Sequence, residues 1–217
     1  MDRLPRTSQA LRTPRVAAIA GMLFSLLMII SLGIIRLALP DVPAEQSRMN
    51  PGFESAVVLA LHLVPFAGIA FLWFVGVLRT RIGTAEDQFF TTVFLGSGLL
   101  FVASLFASAA VAGAVLGSTK AGSVQQTGSE VYEFAWHVSH VFLNVFAMKM
   151  AAVFMFSTCV IAIRTGIFPR WIAFSGFACG LVMLLIISNW LWIVMLFPLW
   201  TTLLSAHILA TNGRRDG

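Results

Sequence analysis

Charge is what this chain has least of. No ionisable side chain falls between Asp87 and Lys120, and only 11% of the residues are Asp, Glu, Lys or Arg, against about 25% in an average soluble domain. The charge that exists sits in the gaps between six apolar blocks, in a chain that is 59% hydrophobic. A water-soluble surface cannot be made from this composition. Each block approaches or exceeds the roughly 20 apolar residues that a helix needs to cross a hydrocarbon core about 30 Å thick. The chain therefore reads as all-α, a polytopic bundle of six transmembrane helices.

Cysteine is nearly absent as well. Cys159 and Cys179 both lie inside apolar blocks, whereas a disulfide framework needs loop positions in an oxidising compartment. They read as small buried hydrophobes. Catalytic signatures are missing too: there is no Gly-rich phosphate loop, no Gly-x-Ser-x-Gly elbow and no His-Glu-x-x-His pair. The loops on the basic side are too short to hold a catalytic domain. No catalytic residue is assigned, and the chain reads as non-enzymatic. The net charge of +5 does not gather into a patch but falls at helix ends, so nucleic acid is excluded as a partner.

The expected helices cover 16–38, 55–78, 89–116, 133–163, 171–188 and 190–210, with a basic N-terminal tail at 1–15 and a C-terminal tail at 211–217. Pro40, Pro43, Pro51 and Gly52 break the chain after the first helix, and Phe168-Pro169-Arg170 separates the fourth from the fifth. A hairpin at Ser188-Asn189 divides the last block, because an unbroken helix over 171–210 would be about 60 Å long. The run from Val16 to Leu39 follows four arginines but is too long for a signal-peptide core of about 7–15 residues. It is expected to be a retained first helix.

Alternate helix ends carry the arginines of the N-terminal tail, Arg79 with Arg81, Arg164 with Arg170, and Arg214 with Arg215. The opposite ends carry Arg36, Arg48 and Lys120 together with Asp41, Glu45, Glu54, Glu130 and Glu133. By the positive-inside rule both termini are expected in the cytoplasm. Small residues at Ala109, Gly113 and Gly117 and at Gly176 and Gly180 mark seams where helices approach closely. Such seams in a thin bundle suggest a homo- or hetero-oligomer within the lipid bilayer.

The fourth helix carries the polar residues that apolar surroundings do not explain. His137, His140 and Asn144 follow at spacings of three and four and share one face. Counting about 20 residues back from Arg164 puts the outer boundary near Asn144, with both histidines at headgroup level. His62 of the second helix falls at a similar level. Neutral imidazoles ligate zinc, copper and haem iron, so His62, His137 and His140 are the candidate metal set. Their ordinary alternative is hydrogen bonding among interfacial groups. Lys149 lies deeper, about 120° around an α-helix from His137. A lysine at depth costs about 2.5–3.5 kcal/mol or more unless it snorkels, finds carbonyls or binds an anion. Lys149 and Asn144 are thus the candidate ligand-binding pair.

Two function classes follow. One is a binding or accessory subunit, or a small permease-like bundle, without a cofactor. The alternative is a membrane redox protein holding metal or haem on the outer histidines.

The stretch Asn144-Val-Phe-Ala-Met-Lys-Met-Ala-Ala-Val-Phe-Met, with Arg164-Thr-Gly-Ile-Phe-Pro-Arg-Trp171 and Phe197-Pro-Leu-Trp200 after it, resembles a group of uncharacterised integral membrane proteins of bacteria, of actinobacterial type. The resemblance covers the C-terminal third of the chain. It implies a bacterial plasma membrane and a six-helix bundle, and it assigns a role to no residue.

Overall fold

A computed structural model of the protein describes residues 13–38, 51–82, 88–120, 129–186 and 191–213. Among them every element is helical: α1 (Thr13–Ala38), α2 (Pro51–Ile82), α3 (Gln88–Lys120), α4 (Ser129–Val141), α5 (Met148–Thr165), α6 (Arg170–Leu185) and α7 (Leu191–Gly213). A π turn, Phe142–Ala147, joins α4 and α5 into one continuous rod. The described residues thus form six rods. The hairpin expected at Ser188-Asn189 lies outside them.

Five of the rods contain an apolar window of spanning length, and α6 is a shorter apolar helix. With every backbone hydrogen bond kept inside a segment, helices of this composition are suited to lipid. The chain is a membrane-embedded helical bundle.

Neighbours in sequence are neighbours in space. α1 packs on α2, α2 on α3, α3 on the α4–α5 rod, α5 on α6, α6 on α7, and α7 returns to α1. Contacts run in opposite directions along each pair. Phe71 meets Phe101 while Leu61 reaches Gly113, so α2 and α3 are antiparallel. Trp171 meets His207 while Gly176 meets Trp200, and α6 and α7 are antiparallel too. The result is an up-and-down ring closed by its first and last rods.

Phenylalanine fills the middle of that ring. Phe24, Phe71, Phe101, Phe154 and Phe197, from five different rods, are all 0% exposed. Phe71 holds the centre, with ring centroids 4.8 Å from Phe24, 5.1 Å from Phe101, 5.1 Å from Phe154 and 5.6 Å from Phe197. Lipid tails are as apolar as these side chains, so shape and dispersion hold the rods together rather than exclusion from water. Tilted and edge-on aromatic pairs of this kind add about 0.5–1.5 kcal/mol each.

Small residues set the spacing at the rim. A Cβ at Gly176 would collide with Cys159 Sγ and would lie 2.7 Å from Trp200 Nε1; one at Gly180 would lie 3.5 Å from Ala152 O. The seam expected on the fifth span therefore seats α6 against both α5 and α7. On α3 the expected seam is loose. A Cβ at Gly113 would reach Leu61 at 3.9 Å, whereas one at Gly117 would meet open space. A contact that small-residue spacing did not mark lies at Gly21, where Ser205 Oγ and the Phe74 ring close over the backbone.

Candidate functional site

The polar residues of the fourth rod are positioned by two irregularities, a π turn within it and an early end to its neighbour α6. The π turn is visible in the backbone. The amide of Met148 bonds to Leu143 O, five residues back. Such a turn accommodates one extra residue in an α-helix and so shifts the phase by about 100°. Ser139, Ala147, Ala151 and Phe154 are all buried. In an unbroken α-helix Ala147 would stand about 80° away from Ser139 and Ala151 about 120°. With one residue absorbed, each falls within about 20° of Ser139. The same shift cuts the angle between His137 and Lys149 from about 120° to about 20°. The two then share a side of the rod.

That side faces α6, which ends too soon to cover it. α6 has 16 residues and is about 24 Å long, short of a hydrocarbon core of about 30 Å. Its last carbonyls would lie bare in lipid, where each unpaired group costs several kcal/mol. Lys149 resolves this. Its ammonium donates to Met183 O at 2.9 Å, to Leu184 O, and to Ile186 O at 3.5 Å. The positive charge also opposes the negative end of the α6 dipole. Of the fates open to this lysine, a carbonyl partner is the one found. The reason it stands at that depth is that α6 stops there.

Above Lys149 the rod carries Asn144, His140 and His137. Counted from Thr165 along the rod, Lys149 lies about 24 Å up, Asn144 about 30 Å and His140 about 36 Å. The Asn144 amide nitrogen donates to His140 O and to His140 Nδ1, both at 3.2 Å. The first bond occupies a carbonyl on the edge of the π turn. The second makes Nδ1 an acceptor, so the neutral ring carries its proton on Nε2. The Trp136 ring lies 4.8 Å from the imidazole, centroid to centroid. His140 and Asn144 are half-buried and His137 is exposed.

The opposite side of the rod is clamped to α3. Ser108 Oγ donates to Ser139 O and Ser139 Oγ to Ser108 O, both at 2.9 Å, with the hydroxyls 3.1 Å apart. Both serines are buried. Neither stood out in the sequence, because a serine in an apolar helix normally bonds its own i−4 carbonyl, as Ser25 and Ser157 do here.

His62 stands elsewhere. It is exposed on α2, its Nδ1 bonded to Val58 O at 2.7 Å, and α3 separates α2 from the fourth rod in the ring. His137 and His140 are neighbours on one helix. Among the described residues no three His, Cys, Asp or Glu side chains gather in a way that could hold a metal ion. His207 packs edge-on against Trp171 at the other end of the bundle, 6.4 Å between centroids. The ammonium hydrogens of Lys149 are spent on the α6 carbonyls and both amide hydrogens of Asn144 on His140, so what the fourth rod keeps for a ligand is the Nε2–H of His140 and the positive charge of Lys149. Such a pairing suits the carbonyl, carboxylate or phosphate oxygens of a ligand. Comparison with protein families, with curated proteins and with solved structures finds no match to this chain.

Proposed function

We propose that this chain is a non-enzymatic binding or accessory subunit of a bacterial plasma membrane, as its C-terminal resemblance implies, with six spans and both termini in the cytoplasm. It holds an oxygen-rich ligand on the polar side of the fourth rod and conducts nothing along its own axis. The observation that carries this reading is the division of the bundle: five buried phenylalanines occupy its centre, while Lys149, Asn144 and His140 are drawn to the rim above the early end of α6. A permease needs polar groups along a central route, and the rings stand where that route would run. An accessory role draws support from α3, whose apolar window is only 22% buried within the chain, against 44–61% for the other windows of spanning length. That leaves α3 the most surface to offer another membrane helix.

The test has two arms. Native mass spectrometry of the protein taken from its own membranes should show a co-purifying small molecule that is lost in Asn144→Leu and in His140→Leu. Equal spectra for all three proteins would remove the binding site. Vesicles containing the purified protein should show no solute flux above empty vesicles. Saturable flux would replace the binding reading with the permease one.

A further inference from the structure

We propose that the π turn of the fourth rod is held by a latch that opens when His140 takes a proton, so that acid at that end of the bundle loosens the rod. The latch is a pair of bonds. Asn144 lies within the turn, and His140 stands four residues before it at the end of α4. The Asn144 amide nitrogen is 3.2 Å from His140 O and 3.2 Å from His140 Nδ1. A carbonyl can only accept, so the amide atom that faces it is the nitrogen and not the oxygen. The same nitrogen then needs a lone pair on the ring, and only the neutral imidazole has one.

An imidazolium donates from both nitrogens, whichever way the ring is turned. Turning the amide over to offer its oxygen to the ring would set that oxygen against His140 O, acceptor against acceptor. Either way at least one of the two bonds is lost, and the tie between the turn and α4 is weakened. The Trp136 indole, 4.8 Å from the imidazole between centroids, can take up the cation, so the amide moves away rather than the ring. The proton has a route. His140 lies about 36 Å along the rod from Thr165, past a hydrocarbon core of about 30 Å, and is half-buried rather than enclosed.

Other charge near the latch is sparse. On the same rod Glu133 and His137 are exposed, and Lys149 is engaged with the α6 carbonyls. α3 and α5 pack against the turn. α3 has no ionisable side chain between Asp87 and Lys120, and on α5 Cys159 and Arg164 come ten residues or more after Lys149. The side chains of Lys120, Glu130 and Tyr132, and those of the charged residues from Arg36 to Glu54, lie outside the described ones. The folded rod holds the neutral ring, so the latch is closed above the ordinary imidazole range, about pH 6.5, and opens as the pH falls through it. The ligand proposed beside His140 is not needed for this.

The experiment is hydrogen exchange on the full chain in mild detergent, read by mass spectrometry at the backbone amides from Phe142 to Met148 and corrected for the chemical dependence of exchange on pH. Protection there should fall about fivefold between about pH 7.5 and about pH 5, the size of one lost hydrogen bond, while protection around Phe71 stays level. His140→Phe and Asn144→Leu should each abolish the change, and His137→Phe should keep it. Asn144→Leu supplies the reading if the His140 variant does not fold. Level protection across the pH range in the unsubstituted chain would overturn the proposal. So would a change that survives His140→Phe or Asn144→Leu, or one that disappears with His137→Phe.

Discussion

Lys149 is the residue on which sequence and structure say most to each other. The sequence marks it as costly, because a cation is placed within an apolar run and no acid stands in the middle of any other block. It does not say what meets the cost. The answer lies on another helix, at Met183, Leu184 and Ile186, whose carbonyls are exposed because α6 is short. Replacing Lys149 with methionine would benefit a protein in which the lysine is only a burden. Here it should cost about 1–3 kcal/mol, the penalty for leaving carbonyl acceptors unsatisfied where lipid rather than water surrounds them, as read by reversible unfolding in detergent. Unchanged or increased stability would mean that the carbonyls are met by water. The serine clamp gives a second residue-scale check. Ser108→Ala and Ser139→Ala should each cost about 0.6 kcal/mol, the usual size for a hydrogen bond between membrane helices, because each removes one hydroxyl-to-carbonyl bond across the seam. No loss in either variant, read by the same unfolding assay, would mean that the clamp holds nothing.

Among the elements, the fourth rod departs most from its sequence reading. A regular advance of 100° per residue fails across Phe142–Ala147 because the turn there holds one residue more than an α-helix does. The irregularity keeps Ser139 and Ala151 on one buried face although twelve positions separate their numbers. Deleting an exposed residue inside the turn should therefore be tolerated. Removing Phe146 should let the turn relax into a regular α-helix with both flanking faces in place. Removing Val153, in regular helix, should turn one half of the rod about 100° against the other and prevent folding. Gel filtration in detergent separates the cases, and loss of the monodisperse protein on removal of Phe146 would show that the turn is not a simple insertion. The short α6 is likewise readable only in part. Pro169 begins it and Gly166, at φ +67°, ends α5 before it, and both signals are in the sequence. The end at Leu185 comes three residues before the break that Ser188-Asn189 marks in the sequence, and Ile186 and Ile187, which continue the apolar run, give no sign of it.

For the molecule as a whole, the closed aromatic centre is the feature with the widest consequence. Phe71 touches four other rings from four other rods, so Phe71→Ala should open a cavity that its neighbours cannot fill. The expected loss is about 3–5 kcal/mol, measured by the same unfolding assay. A loss below about 1 kcal/mol would show that the centre repacks freely. Trp73 and Trp200 illustrate how little depth alone decides. Both fall away from the expected interfaces, yet Trp73 is 63% exposed on the lipid side, while Trp200 is 4% exposed and bonds Ile172 O.

Composition and block length were enough, without a structure, to establish an all-helical membrane bundle, because the bilayer admits few solutions for a chain with so little charge. The same patterning gave the number of rods and the polar residues of the fourth. The ring order, the plug of phenylalanines, the partner of Lys149 and the clamp at Ser108 and Ser139 came only with the tertiary structure. Each depends on which faces of neighbouring helices meet. In a chain that is apolar on every side, hydrophobic periodicity carries almost no record of which face that is.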